Sequence, residues 1–218
     1  MLSARGITRA FGELHILKGI DLDIEEGEVI SIVGSSGAGK TTLLQILGTL
    51  DKPNSGQVLL NGKNPFSLTS NQLAHFRNQS IGFIFQFHQL LPEFTAAENV
   101  MLPALIGGLN MRDARKKAEE LIAIIGLEHR ANHRPSELSG GEQQRIAVCR
   151  ALINKPSVVF ADEPSGNLDS SNSEELHRLF FSLREKFNQT FIIVTHNESL
   201  AEMADRRLVM RDGLIVPQ

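Results

Sequence analysis

A glycine-rich turn between a buried strand and a helix constrains this chain more than any other feature. The β-branched run Val29–Val33 leads into Gly34-Ser35-Ser36-Gly37-Ala38-Gly39-Lys40-Thr41, and an apolar-periodic helix is predicted to begin near Lys40. Glycines let successive backbone N–H groups turn inward, and the N-terminus of the following helix adds partial positive charge. The segment therefore predicts a loop that holds the phosphates of a nucleoside triphosphate. Lys40 would reach the β- and γ-phosphates, and the Thr41 hydroxyl would bind Mg²⁺.

Composition narrows the class of protein. The 218 residues are 41% hydrophobic, which is enough to bury the core of one large domain. The net charge is -3 with dispersed basic residues, so nucleic acid is not expected as a partner. The single cysteine, Cys149, excludes an internal disulfide and fits a reducing compartment. No apolar run is long enough to span a membrane or to form a signal peptide. We therefore expect a cytoplasmic protein that reaches any membrane through a partner.

Alternation of apolar residues predicts two sheets. Residues 2–8, 20–24 and 57–62 predict strands of a small antiparallel sheet, the last ending in the turn signal Asn61-Gly62. A second, mainly parallel α/β sheet is predicted from apolar strands that alternate with helices. Its strands are expected at Val29–Val33, Ile81–Phe85, 157–161 and 190–195.

Residues 87–155 have helical character. One predicted helix carries Ala114, Ala118 and Ile122 on one face, and Gly126 is placed to end it. A later helix carries an apolar stripe, and Ser171 and Glu174 have the spacing of a capping box at its start. The stripe contains Leu176, Leu179, Phe180, Leu183 and Phe187.

Two carboxylates follow a strand predicted to be buried. The apolar run before Asp162 and Glu163 delivers both side chains to the carboxyl edge of the sheet, where open α/β sheets bind ligands. Asp162 could hold Mg²⁺, and Glu163 could orient and deprotonate the water that attacks the γ-phosphate. A strand that simply enters solvent through two acids is the alternative, but the phosphate loop favours the catalytic interpretation.

A third segment resembles a known family. Leu138-Ser139-Gly140-Gly141-Glu142-Gln143-Gln144-Arg145 resembles the signature motif of ATP-binding cassette ATPases. Ser139, Gly140 and Gly141 lie where a helix through Arg150 should begin, so their N–H groups and hydroxyl could receive a phosphate. The resemblance implies that this motif completes the ATP site of a second copy of the chain.

Further residues acquire roles from this resemblance. Gln86 matches the glutamine that senses Mg²⁺ and the attacking water, and the stretch from Ser165 to Asp169 matches a loop at the dimer interface. His196 matches the switch histidine on the γ-phosphate and, with Lys40 and Glu163, completes the implied catalytic set. Phe11 lies where an aromatic ring stacks on adenine. Thr42 and Gln143 belong to the ATP-binding set implied by the motifs.

Three positions depart from the family's commoner residues. Thr41 stands for Ser but retains the hydroxyl, and Ser165 stands for Thr. Asn197 stands where Asp is common after the switch histidine, which removes a charge close to it.

The resemblance extends from Ile7 to Gly213 and implies a fold of class α/β, the nucleotide-binding domain of an ATP-binding cassette. We expect residues 1–218 to form one such domain. Residues 1–86 and 156–218 would form a RecA-like core with an antiparallel β subdomain, and residues 87–155 a mainly helical subdomain with the signature motif. Two copies are expected to associate head to tail around two MgATP molecules.

Residues 82–100 refine the resemblance. Together with residues 129–138, 166–169 and 210–213, they are similar to the lipoprotein-releasing ATPase family. This implies an ATPase, a translocase, that works on the cytoplasmic face of the inner membrane and drives release of lipoproteins toward the outer membrane. Phe87, Leu90, Leu91 and Phe94 could line a groove beside Gln86 in which a membrane subunit docks; burial in the core is the alternative.

Other functions stay open at this stage. The nearest is the ATPase of a macrolide-exporter-like or cell-division complex. A soluble cassette ATPase acting on nucleic acid or ribosomes usually has paired nucleotide domains or a long coiled-coil insertion, and the chain has neither. A nucleotide-responsive scaffold without turnover is disfavoured by Lys40, Glu163 and His196.

Overall fold

Two sheets and seven α-helices form the part of the chain described by the computed structural model, residues 1–216. The strands are β1 (Leu2–Phe11), β2 (Leu14–Ile24), β3 (Val29–Val33), β4 (Ser55–Leu60), β5 (Ile81–Phe85), β6 (Val158–Asp162), β7 (Thr190–Val194), β8 (Arg206–Arg211) and β9 (Leu214–Val216). The helices are α1 (Lys40–Leu47), α2 (Ser70–Ser80), α3 (Ala96–Ile106), α4 (Met111–Ile124), α5 (Gly140–Leu152), α6 (Ser170–Phe187) and α7 (Glu198–Met203). Short 3₁₀ turns lie at Pro65–Ser67, Glu128–Arg130 and Pro135–Glu137.

The antiparallel sheet has the strand order β2-β1-β4. Its strands β1 and β2 are longer than the sequence pattern predicts, because the alternation of buried side chains weakens near the β1–β2 turn while the backbone pairing continues. The turn after β4 forms at the predicted place: Asn61 and Gly62 have φ values of 51° and 74°. These left-handed values suit Asn and Gly, and they close a bridge between Leu60 and Lys63.

The second sheet has the order β5-β6-β7-β3-β8-β9, and all neighbouring pairs are parallel except β8 and β9. Parallel strands end at the same edge, so the loops after β3, β5, β6 and β7 lie side by side. Asp162 at the end of β6 pairs with Phe85 on one side and with Val194 on the other. This register brings the predicted site residues to one edge. The predicted architecture, a small antiparallel sheet beside a mainly parallel α/β sheet, is confirmed.

The helices α3, α4 and α5 pack around an apolar cluster of their own. It includes Ala97, Val100, Met101, Ala118, Ile122, Ile146 and Ile153. The predicted face of α4 is buried at Ala114, Ala118 and Ile122, and Gly126 follows its end with a φ of 71°. This cluster supports α5, whose first residues belong to the signature motif.

The start of α6 differs from the prediction. Asp169 is the N-cap, and its Oδ1 accepts a hydrogen bond from the Asn172 backbone N–H at 2.9 Å. The capping box predicted from Ser171 and Glu174 is therefore wrong. A carboxylate two residues earlier caps equally well and also interacts favourably with the helix dipole. Phe187 lies exposed at the helix end, beyond the buried stripe.

Candidate nucleotide site

The loop between β3 and α1 is closely packed against its surroundings. Gly34 has a φ of 152°, and a Cβ there would lie 2.2 Å from the Met210 carbonyl oxygen on β8. No other residue fits that position without moving the backbone. The Lys40 ammonium donates hydrogen bonds to the carbonyl oxygens of Gly34 at 2.8 Å and Ser35 at 3.0 Å. Lys40 is thereby held over the loop, at the edge of the space in front of it.

A cavity of about 540 Å³ opens in front of this loop. The loop residues Gly34, Ser36, Gly37, Gly39, Lys40, Thr41 and Thr42 line it together with Ile16, Gln86, Glu163 and His196. Five separate chain segments thus converge on one space. Four of them follow strands of the parallel sheet, as its strand order dictates, and Ile16 comes from β2 of the antiparallel sheet. Ser35 and Ala38, also predicted to bind ATP, belong to the same loop; Ala38 is buried and donates its N–H to the Ser35 carbonyl oxygen at 3.2 Å.

Oxygen donors for a divalent cation meet beside the cavity. The Thr41 hydroxyl donates to Asp162 Oδ1 at 3.3 Å. Burial raises the pKa of Asp162 and the nearby Glu163 carboxylate adds to this, whereas the Thr41 hydrogen bond and Lys40 oppose it. A cation would relieve the repulsion between these carboxylates. Within residues 1–216, no group of three or more His, Cys, Asp or Glu side chains could hold a metal. Hydroxyl, amide and carboxylate oxygens with added phosphate suit Mg²⁺.

Glu163 and His196 are directly paired. Glu163 Oε2 lies 2.8 Å from His196 Nδ1 and accepts a hydrogen bond from the His196 backbone N–H at 3.2 Å. Glu163 has a φ of 47°, which is unusual for a residue with a side chain, and its N–H donates to the Val194 carbonyl oxygen at 2.9 Å. A strained backbone at this position turns the carboxylate from the end of β6 toward β7 and the cavity.

Gln86 contacts the loop that follows Glu163. Its Nε2 donates to Asn167 Oδ1 at 3.1 Å, and Asn167 Nδ2 donates to the Gln86 carbonyl oxygen at 3.3 Å. A Cβ on Gly166 would approach Gln86 Nε2 to 2.9 Å, so the glycine allows this close contact. The sequence predicted Gln86 as a site residue, but no motif near Gln86 predicts its hydrogen bonds with Asn167.

The signature residues lie outside the cavity of their own chain. Ser139 caps α5, with its Oγ accepting from the Glu142 N–H at 3.2 Å and its own N–H donating to Glu142 Oε2 at 2.7 Å. Ser139 and Gly140 are exposed, whereas Gly141 is buried. Gln143 Nε2 donates to the carbonyl oxygens of Pro135 and Leu138 at 3.0 Å each, so this amide holds the preceding loop.

Phe11 also lies apart from the residues that line the cavity. It is 53% exposed at the turn between β1 and β2. The Arg9 guanidinium lies 4.4 Å from the centre of its ring, and Arg9 also pairs with Asp51 at 2.8 Å. One face of the ring is therefore occupied by a cation, which leaves the other face for stacking.

Two residues with many contacts were not found from the sequence. Arg150, near the end of α5, donates to the carbonyl oxygens of Gln89 at 2.6 Å and His88 at 2.8 Å. Asn99 on α3 is fully buried and bonds the backbone of Leu91 and Phe94. Both hold the segment that follows Gln86, and a lone Arg or Asn on a helix gives no signal of such a role.

The fold and the convergence of these side chains define an ATP-binding cassette ATPase. A family model described as "ABC transporter" matches residues 17–166. The chain is also similar to a dimeric structure of a post-hydrolysis state of the ATP-binding cassette MJ0796 bound to ADP and Pi. The TM-score is 0.89 at 38% identity, and the match covers 100% of this chain and 97% of that one.

Relatives among characterised proteins narrow the family. The lipoprotein-releasing system ATP-binding protein LolD of Bacteroides fragilis is 60% identical over 216 residues, which is 99% of this chain and 100% of the relative. LolD of Cytophaga hutchinsonii is 58% identical over 216 residues, 99% of each chain. The chain belongs to the LolD family of ABC transporter ATPases. The family predicted from residues 82–100 is confirmed, as is ATP as the nucleotide of this cassette. In the part of the chain that the structure describes, every helix is too short or too polar to cross a membrane.

Proposed function

We propose that this chain is the ATP-hydrolysing subunit of a transporter that releases lipoproteins from the inner membrane toward the outer membrane. The observation that carries the proposal is the 540 Å³ cavity in which the phosphate loop, Gln86, Glu163 and His196 converge. The names of the LolD relatives supply the transported class, a lipoprotein. A nucleotide-responsive scaffold would not require a carboxylate paired with a histidine at the γ-phosphate position.

The chemistry proposed for the site assigns a role to each side chain. The N–H groups of the loop, Lys40 and the Thr42 hydroxyl bind the phosphates. Glu163 orients the attacking water and accepts its proton, while His196, whose Nδ1 lies 2.8 Å from Glu163 Oε2, contacts the γ-phosphate. Thr41, Asp162 and Gln86 are the residues that would hold Mg²⁺. The ion would supply neutralisation of the charge that develops on the phosphate oxygens.

The second proposed element is a head-to-tail dimer. Ser139 and Gly140 are exposed outside their own chain's cavity, at the N-terminus of α5. There, with Gly141 and Gln143, they would complete the ATP site of a second copy, because a helix N-terminus attracts a phosphate. Similarity to the dimeric MJ0796 structure, whose bound ligands are ADP and Pi, supports association of two copies. ATP would then bind between two chains and hold them together until it is hydrolysed.

The third proposed element is a membrane partner that docks between Gln86 and Phe94. Phe87, Leu91 and Phe94 are 68%, 43% and 37% exposed, so three apolar side chains face solvent beside Gln86. An apolar helix from a membrane subunit would cover them. We accordingly place the chain on the cytoplasmic face of the inner membrane, with residues 87–155 as the helical subdomain that meets the partner and residues 1–86 and 156–218 as the core.

Replacement of Glu163 by Gln tests the catalytic assignment. The amide keeps the size of the side chain but cannot accept a proton, so the rate of ATP hydrolysis should fall about 10²- to 10⁴-fold. Phosphate release by the purified chain and binding of a fluorescent ATP analogue measure the two effects. ATP binding should persist in Glu163→Gln and be lost in the control Lys40→Ala. Hydrolysis at the wild-type rate in Glu163→Gln would remove Glu163 from the role of base.

Replacement of Phe87 and Leu91 by Ser tests the docking surface. Co-purification with the membrane subunits should weaken, whereas ATP affinity of the isolated chain should be unchanged. Unfolding of the isolated double variant would contradict the proposal, because it would show that both side chains serve the core.

A further inference from the structure

A buried histidine lies behind the loop that follows Glu163. His177, on α6, is 2% exposed, and it is the single buried histidine within residues 1–216. Its Nε2 lies 3.1 Å from the hydroxyl oxygen of Ser165, which is itself 8% exposed. No role proposed above uses this side chain, although it contacts Ser165, two residues after Glu163.

Ser165 lies at the centre of this loop. Its carbonyl oxygen accepts the Leu168 N–H at 3.1 Å, and the Gly166 N–H donates to the Glu163 carbonyl oxygen at 3.0 Å. Asn167, two residues after Ser165, is bonded to Gln86 at 3.1 Å. A displacement of Ser165 therefore moves the backbone of Glu163 on one side and the Asn167 contact on the other.

Packing alone does not hold the loop on its inner side. A cavity of about 300 Å³ separates it from the turn between β7 and α7, and Ser165, His177, Thr195 and His196 are among the residues that line it. The hydrogen bond from His177 crosses to Ser165 at the edge of this space. Burial lowers the pKa of His177, although the Glu174 carboxylate opposes this. A neutral ring suffices to donate or accept the hydrogen bond.

We infer that His177 is a positioning residue for ATP hydrolysis, which acts by holding Ser165 and, through it, Glu163 and Asn167 in their places. The inference rests on the proposed function of Glu163. His177 does not face the nucleotide cavity, so its loss should alter the rate of the chemical step and leave nucleotide binding intact. The rate of hydrolysis should be sensitive to small shifts of the Glu163 carboxylate, because a general base must stay within hydrogen-bond reach of the water it deprotonates.

Steady-state ATP hydrolysis by the purified full chain tests the inference. In His177→Leu, which has similar bulk but no hydrogen bond, kcat should fall about three- to tenfold, the effect of one hydrogen bond, and KM for ATP should change less than twofold. His177→Gln should restore at least half of the wild-type kcat, because its amide nitrogen can reach the position of Nε2. Ser165→Ala should lower kcat as much as His177→Leu, and the double variant should be no slower than either single variant.

A control separates positioning from stability. Leu183→Val weakens the same helix at a buried residue two turns further on, and it should leave kcat per folded molecule unchanged while lowering resistance to urea. If His177→Leu does not fold, the kcat of Ser165→Ala relative to that of the wild type tests the inference. Wild-type kcat in His177→Leu or Ser165→Ala, or losses that multiply in the double variant, would overturn the inference. A wild-type chain without ATP hydrolysis would overturn the proposed function itself, so the two failures are distinguishable.

Discussion

Asn99 should be among the residues whose replacement destabilises the protein most strongly. Its Oδ1 accepts the Leu91 N–H at 2.7 Å, and its Nδ2 lies 3.1 Å from the carbonyl oxygens of Leu91 and Phe94. A third carbonyl oxygen, that of Thr95, lies 3.0 Å from Nδ2 but already accepts the Asn99 backbone N–H in the first turn of α3. Because an amide nitrogen carries two hydrogens, three independent hydrogen bonds are lost when the side chain is removed.

The size of the effect follows from these three bonds. At about 1 kcal/mol for each net hydrogen bond, Asn99→Ala should lower the free energy of unfolding by about 3 kcal/mol. For a chain of this length, the unfolding temperature should fall by roughly 6–12 °C.

Urea unfolding followed by circular dichroism measures the change. Asn99→Asp should be less stable than Asn99→Ala at neutral pH, because its second carboxylate oxygen would face carbonyl oxygens in a buried site. Burial should raise the pKa of that aspartate above its value in the unfolded chain, so Asn99→Asp should gain stability as the pH falls. A loss below about 1 kcal/mol in Asn99→Ala, or an aspartate variant that is more stable than the alanine variant at pH 7, would refute the reasoning.

Two further predictions concern stability. Hydrogen bonds from the Ser139 backbone N–H, the Ser139 hydroxyl and Arg130 lower the pKa of Glu142. The ionised Glu142 side chain should therefore contribute fully to the free energy of unfolding above about pH 4.3, and this contribution should be lost as the pH falls further. Urea unfolding between pH 7 and pH 3 should therefore vary less in Glu142→Gln than in wild type, and equal slopes would contradict this. In Gly82→Ala, the new Cβ would lie 2.5 Å from the Ala151 carbonyl oxygen. Calorimetry should therefore show that the substitution lowers the free energy of unfolding by about 1–3 kcal/mol. An unchanged unfolding temperature would contradict this prediction.

Local signals account for the parts of the fold that the sequence predicts. β3 and β5 are continuous apolar runs buried in a parallel sheet, and their predicted bounds match the structure. β8 and β9 are not predicted from the sequence, because arginines interrupt the apolar pattern of β8 and because β9 is only three residues long at the edge of the sheet. Three apolar residues in a row are too few to distinguish a strand from a loop or a helix. The pairing that makes β8 a strand comes from β3, far away in the chain.

The same distinction separates the proposed site residues from those that support them. Lys40, Asp162 and Glu163 stand at fixed distances from a strand end, so a short stretch of sequence contains their chemistry and their position. Arg150 and His177 contact residues 61 and 12 positions away, and neither helix has a pattern that identifies the residue contacted. Which segments meet depends on which strands are neighbours. For example, β5 lies beside β6, and this brings Gln86 to the loop that contains Ser165. Supporting contacts therefore depend on strand order, which a single sequence specifies only through the packing of the whole domain.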